Sequence, residues 1–272
     1  MVDWARQDKW HQGTPATWAA RLARLRHFIL YLKQFEPGTE VPNERIFGPQ
    51  AGRVAPHIYH EAEITELLAA ARQLGPQGSV RSDTYATLFG LMASTGLRVS
   101  EAIHLRDADV DLTRGMLTVR QTKFAKSRQL PMHTSTVEAL ARYRRTRARH
   151  IPTTADTPFL IGSRGRRLGH PIGARQAHRV FNTLRDSLGW VNRGAHDAPR
   201  LHDLRHTFAV RRLMLWHVEG TDIEQMMLAL STYLGHAKIV HTYWYLTAVP
   251  ELMALAGGKF DRFANCKGDG DA

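Results

Sequence analysis

The spacing of apolar residues is helical over most of this chain, and at residues 115–131 the period changes. There Met116-Leu117-Thr118-Val119 and Arg128-Gln129-Leu130 alternate with a period of two, which predicts a small antiparallel hairpin. Elsewhere the steps of three and four predict helices. Over 17–35, Trp18, Leu22, Leu25, Ile29 and Leu32 fall on one stripe. Further helices are expected over 60–74, 83–95, 99–105, 134–150, 173–188, 203–217, 222–234, 239–246 and 251–263. Ser82 is the expected cap of the helix at 83 and Gly96 its stop. The fold class is therefore mainly α with a small antiparallel β-sheet.

Residues 37–56 break this pattern with Pro37-Gly38, Pro42-Asn43 and Gly48-Pro49, a composition that reads as a linker. The expected organisation is a short helical segment and linker over 1–55, a larger domain over 56–265, and a frayed tail over 266–272.

Composition narrows the partners. Lysine and arginine number 37 against 25 acidic residues, a formal net charge of +12, which points to a polyanion. A hydrophobic share of 43% supplies an ordinary soluble core. No apolar run approaches the ~20 residues that a membrane helix needs, and the polar start Met1-Val2-Asp3-Trp4 does not resemble a signal peptide. Cys266 is the single cysteine, so neither an intrachain disulfide nor a cysteine-based zinc site is available. A reducing cytoplasm is the expectation.

The residues that carry chemistry cluster in three places. Arg98 follows the helix-ending Gly96 and opens the next helix, where its planar fork can face a phosphate; an ion pair with Glu101 or a nearby aspartate is the structural alternative. His202 and Arg205 are three apart on a helix beginning at Asp203, so imidazole and guanidinium can converge on one small anion. His206, four from His202, raises a zinc reading, which the missing third ligand and carboxylate disfavour. His236 follows the helix stop Leu234-Gly235, and Tyr245 lies nine residues further on. Tyr243 is the rival phenol; on a helix the two diverge by roughly 200° and only one can face a site. Arg142, Arg144, Arg145, Arg147 and Arg149 crowd one helix and read equally as a solvated face or a DNA contact.

Taken in order, Thr95-Gly96-Leu97-Arg98-Val99-Ser100-Glu101, Thr122-Lys123-Phe124-Ala125-Lys126-Ser127-Arg128, His202-Asp203-Leu204-Arg205-His206 and Leu234-Gly235-His236 with Tyr245 resemble the tyrosine recombinase (phage integrase-like) family. The similarity runs over about 60–263, and four motifs in sequence make it specific. The resemblance implies that fold for the catalytic domain, with Arg98 and Arg205 holding a scissile phosphate. It further implies Lys123 as general acid, with Lys126 its competitor, His202 as proton acceptor, His236 as second histidine and Tyr245 as nucleophile. Lys126, Arg128, Arg21 and Arg24 are the candidate DNA contacts. Double-stranded DNA is the implied partner, with a homo-oligomer (dimer or tetramer) forming on it, and stretch 251–263 is where a neighbouring protomer would dock. The segment before residue 55 is shorter than the core-binding domain usual in such proteins.

The implied chemistry is strand cleavage through a 3′-phosphotyrosine followed by rejoining, in a recombinase of a mobile element. It calls for no metal and no nucleotide cofactor, and no P-loop is present. A truncated relative that binds DNA without recombining it and a type IB topoisomerase are the competing expectations.

Overall fold

The computed structural model describes residues 2–7, 13–49, 52–120, 127–163 and 165–248. The chain divides into two compact units, one ending at Arg53 and the other beginning at Val54.

The first unit holds α1 (Val2–Arg6) and α2 (Pro15–Leu32). Helix α2 begins two residues before the expected start. Thr14 Oγ1 accepts from the Thr17 N–H at 3.3 Å, and Pro15 occupies the first turn, where its missing N–H is harmless. Ala19, Leu22 and Ile29 are buried along its inner stripe. Arg21 donates to the carbonyls of Ala5 (3.3 Å) and Gln7 (2.9 Å), so its guanidinium caps α1. Arg24 is exposed.

The second unit is built around α4 (Arg81–Thr95), which packs against α3 (Glu61–Arg72), α6 (Thr134–Ala148) and α8 (Asp203–Val218). Leu88, Phe89, Leu91 and Met92 of α4 are fully buried. Between α4 and α6 lie α5 (Val99–Ile103) and a three-stranded antiparallel sheet in the order β1 (Val110–Asp111), β2 (Met116–Val119), β3 (Arg128–Pro131). Leu117 faces Leu130 across the ladder, and both are buried. Helices α7 (Ala174–Leu188), α9 (Ile223–Leu234) and α10 (Val240–Ala248) complete the unit. The helix expected over 251–263 lies outside the described residues, among which no helix is long and apolar enough to cross a membrane.

Two expectations need correction. Ser82 does not cap α4: the helix starts at Arg81 after Val80, because the turn closed by Ser79 Oγ on the Pro76 carbonyl (2.8 Å) delivers the chain already helical. The arginine row on α6 is neither wholly solvated nor wholly available to DNA. Arg147 is fully buried, pairs with Asp107 and donates to the Pro158 (3.0 Å) and Phe159 (3.1 Å) carbonyls, while Arg144 donates to the Val110 carbonyl at 2.6 Å.

The chain enters this unit along α8. Tyr59 N–H donates to Thr207 Oγ1 (2.9 Å), the Tyr59 carbonyl accepts from Arg211 (3.1 Å), and the Tyr59 hydroxyl donates to the Arg200 carbonyl (3.0 Å). Helix α4 stops at Gly96, whose φ of +64° suits glycine. A Cβ there would lie 2.6 Å from Phe208 Cδ1 and 3.0 Å from Leu234 Cδ2. Gly96→Ala is therefore expected to lose about 2–4 kcal/mol from strain and overpacking together. A urea midpoint matching the parent would contradict this.

Candidate active site

The site forms where three segment ends meet: the α4–α5 turn, the first turn of α8, and the C-terminus of α9. Arg98 is the N-cap of α5. Its backbone N–H donates to Glu101 Oε2 (2.9 Å) and its Nη1 to Glu101 Oε1 (2.9 Å), so the ion pair weighed from the sequence forms. Its Nη2 reaches the Gly235 carbonyl at 3.2 Å.

Arg205 comes from α8 and is 1% exposed. Its Nη1 donates to the Gly96 carbonyl at 2.7 Å and its Nη2 to the Leu234 carbonyl at 2.6 Å; Nη1 also lies 3.9 Å from Glu101 Oε2. Burial, then the neighbouring Arg98 charge, lowers its pKa to about 10, so it remains a cation at neutral pH.

Glu101 gathers a third guanidinium. Arg128 of β3 donates to Oε1 (3.1 Å) and Oε2 (3.0 Å), and its Nε donates to the Tyr233 carbonyl at 2.7 Å. Burial would raise the Glu101 carboxyl, but the Arg128 hydrogen bond, the Arg98 N–H and the surrounding guanidinium charges outweigh it and hold the group below the ordinary carboxylate value. Three cations around one carboxylate leave a net positive site. The Arg98 side chain, 34% exposed, opens it to solvent.

The end of α9 explains why the arginines point here. Gly235 takes φ +67°, and the turn closes with His236 N–H on the Ser231 carbonyl (2.9 Å) and Gly235 N–H on the Thr232 carbonyl (3.0 Å). The next three carbonyls, Tyr233, Leu234 and Gly235, have no helical donor left. Each accepts from a different arginine: Arg128, Arg205 and Arg98 in turn. The negative end of the helix dipole adds to that attraction.

The same turn delivers His236, whose Nδ1 lies 2.7 Å from Thr242 Oγ1 and whose ring stacks on Tyr245 with centroids 6.4 Å apart. Tyr245 is 1% exposed among Ala209, Val210, Leu213 and Leu230. Its hydroxyl hydrogen-bonds His206 Nδ1 at 2.8 Å. Tyr243 is 39% exposed, so the two phenols of α10 do face apart. The His206 ring also meets His202 edge-on at 4.9 Å and Trp244 at 5.8 Å. Burial, reinforced by neighbouring cations and imidazoles, pushes His202 down to about 4 and His206 down to about 2.

Arg98, His202, Arg205, His236 and Tyr245 are thus brought together. Lys123 and Lys126 lie outside the described residues. Arg128 is at the site with its guanidinium turned onto protein acceptors. Arg21 and Arg24 belong to the other unit. Two residues were underweighted in the sequence. His206, which the spacing raises only as a zinc ligand, contacts the phenol, and its step of four from His202 is the signal for it. Glu101, which the sequence offers only as a partner of Arg98, gathers three arginines. Among the described residues no three His, Cys, Asp or Glu side chains stand close enough to hold a metal ion.

The neutral imidazoles have a consequence for stability. His57, like His202 and His206, is held below the ordinary 6.5, chiefly by burial. On unfolding, all three regain their affinity for protons, so below pH 6.5 the unfolded chain binds more protons than the folded one. Stability is then full above about pH 6.5 and falls as the pH drops toward about 4. The depressed carboxyls Glu63 and Glu101 add their loss only below the ordinary 4.5. A denaturation midpoint unchanged between about pH 7 and pH 4.5 would contradict this.

Comparison with known proteins defines the class of fold. The integrase of transposon Tn1549, solved in complex with a circular intermediate DNA, superposes with a TM-score of 0.65 at 18% identity, over 90% of this chain and 79% of that one. XerH recombinase in a post-cleavage complex with palindromic difH superposes with a TM-score of 0.66 at 16% identity, over 96% and 71%. The fold is that of the tyrosine recombinase catalytic domain. Residues 58–251 match the phage integrase family. The chain is 39% identical over 264 residues to the putative integrase/recombinase y4rB of Sinorhizobium fredii (95% of this chain, 82% of the relative), and 30% identical over 244 residues to tyrosine recombinase XerD of Caulobacter vibrioides (89% and 73%). The chain belongs to the phage integrase family, the tyrosine recombinase class of enzymes.

Proposed function

We propose that this chain is a site-specific DNA recombinase of a mobile element, cutting and rejoining strands through a 3′-phosphotyrosine at Tyr245. The observation that carries this reading is the meeting of Arg98 and Arg205 on Glu101 beside the imidazole-bound Tyr245. A phosphodiester resists attack because its oxygens are negative and its leaving alkoxide is poor. Arg98 and Arg205, with His236, neutralise charge on the non-bridging oxygens. Tyr245 Oη bonds to phosphorus as the P–O5′ bond breaks; its proton passes to His202, and Lys123 protonates the departing 5′ oxygen. The reverse attack by a 5′ hydroxyl reseals the strand and frees the tyrosine.

Because Tyr245 is enclosed, α10 must shift before the hydroxyl meets a duplex. His202 accepts a proton poorly while burial and the neighbouring arginines hold its pKa down near 4. The negative charge of a bound phosphate raises it. Arg24 and Lys126 are the proposed backbone contacts, giving tight, salt-dependent binding. Double-stranded DNA in the bacterial cytoplasm is the partner, and a dimer or tetramer assembles on it. The proposed organisation is a DNA-gripping segment over 1–55 and a catalytic domain over 56–265.

The test uses nicked suicide duplexes carrying sequences that the protein itself selects from a randomised pool. A protein–DNA adduct in a denaturing gel, unaffected by chelator, is the expected result. Selection of DNA with no adduct would overturn it in favour of a binding-only relative, the reading that the enclosed phenol favours. Adduct lost with chelator would favour a metal enzyme.

A further inference from the structure

The Arg128 guanidinium makes more contacts than a DNA-facing side chain would keep. Its Nε holds the Tyr233 carbonyl at 2.7 Å, its Nη1 and Nη2 hold both oxygens of Glu101, and its side chain is only 13% exposed. The fork is moulded to its surroundings: a Cβ on Gly235 would lie 2.8 Å from Nη1 and 3.0 Å from Cζ. The helix-ending glycine therefore serves two ends, a left-handed turn and room for this guanidinium.

Arg128 is also the first residue of β3, paired with Val119 of β2. Its three contacts consequently tie the hairpin to the turn that carries His236 and to the carboxylate that orients Arg98 and Arg205. Without it, the Tyr233 carbonyl loses its donor, and Glu101 keeps Arg98 at 2.9 Å with Arg205 no nearer than 3.9 Å. Among the described residues, the Arg128 hydrogen bonds are the ones in this network that join the hairpin to α9.

We propose that Arg128 is a positioning residue for strand cleavage and not a DNA contact: it locks the hairpin and the α9 end into one frame around Glu101. This rests on the strand-cleavage reading above. Lysine cannot replace it, because one ammonium cannot span a carboxylate in bidentate fashion while holding a carbonyl on its far side.

The test compares wild type, Arg128→Ala and Arg128→Lys on the selected suicide duplex, with thermal unfolding measured alongside. Cleavage rate at saturating protein and the dissociation constant over a salt series are read separately. Both variants are expected to cleave about tenfold to a hundredfold more slowly at saturation, the scale of a misplaced reacting group. Affinity should stay within about twofold and the salt slope should not change; Arg128→Lys carries the test if Arg128→Ala does not fold. A weakened affinity with a salt slope reduced by about one and an unchanged saturated rate would make Arg128 a phosphate contact and overturn the proposal. A lowered melting temperature with an unchanged saturated rate would make it a structural ion pair and overturn it as well. Wild type that yields no adduct would overturn the cleavage reading and this assignment with it, whereas adduct formed at the same saturated rate by wild type and variants overturns the assignment alone.

Discussion

Tyr245→Phe is expected to abolish covalent capture of DNA while leaving DNA affinity and fold in place. The substitution removes one oxygen from a ring that stays packed among Ala209, Val210 and Leu213. What is lost is the 2.8 Å hydrogen bond to His206, worth about 1 kcal/mol. Stability should therefore hold, and the chemical effect is total because no other atom of the ring can bond to phosphorus. Tyr243→Phe is the matched control: its phenol lies on the exposed side of α10 and should leave capture unchanged. Adduct from the Tyr245→Phe protein would move the nucleophile elsewhere and sink the assignment.

The second large effect concerns Arg205. Arg205→Ala leaves the carbonyls of Gly96 and Leu234 without their donors and takes one cation from the Glu101 site. Breaking such a buried charge set costs about 3–5 kcal/mol, a large share of the roughly 5–15 kcal/mol that holds a typical domain folded. The loss falls where the end of α4, the start of α8 and the end of α9 are joined, so all three should loosen together. Arg205→Lys keeps the charge but cannot reach two carbonyls on opposite sides, and should recover only part of the stability. In both variants cleavage should fall well below that of wild type even at saturating protein and low temperature. Urea midpoints within about 1 kcal/mol of the parent for Arg205→Ala would show that the guanidinium does not hold the junction.

Much of this was legible in the sequence because the relevant signals are local. The stop at Gly96, the turn at Leu234-Gly235 and the helix start at Asp203 each depend on a few neighbouring residues, and the helices end and begin there. The choice between the two phenols was a matter of helical phase, and burial separates them. What escaped depends on partners distant in the chain. Arg147 is buried because Asp107, forty residues earlier, stands opposite it, and no periodicity reports that. Arg128 sits on a strand whose alternation gives a face but not an acceptor; Glu101 and Tyr233 come from elsewhere. Strand β1, two residues long, is too short to show a period at all. His206 was visible as a neighbour of His202, but only packing shows that it meets the phenol.

The packing of Tyr245 also bears on how the free protein behaves. With its oxygen held by an imidazole and its ring walled in by aliphatic side chains, the group is shielded from water and from passing electrophiles. On the reading proposed above, in which this phenol is the nucleophile, its reactivity is stowed, and the work of unsealing it comes from the DNA that the protein grips. That reading gives an enzyme that keeps its sharpest tool sheathed until a substrate draws it out.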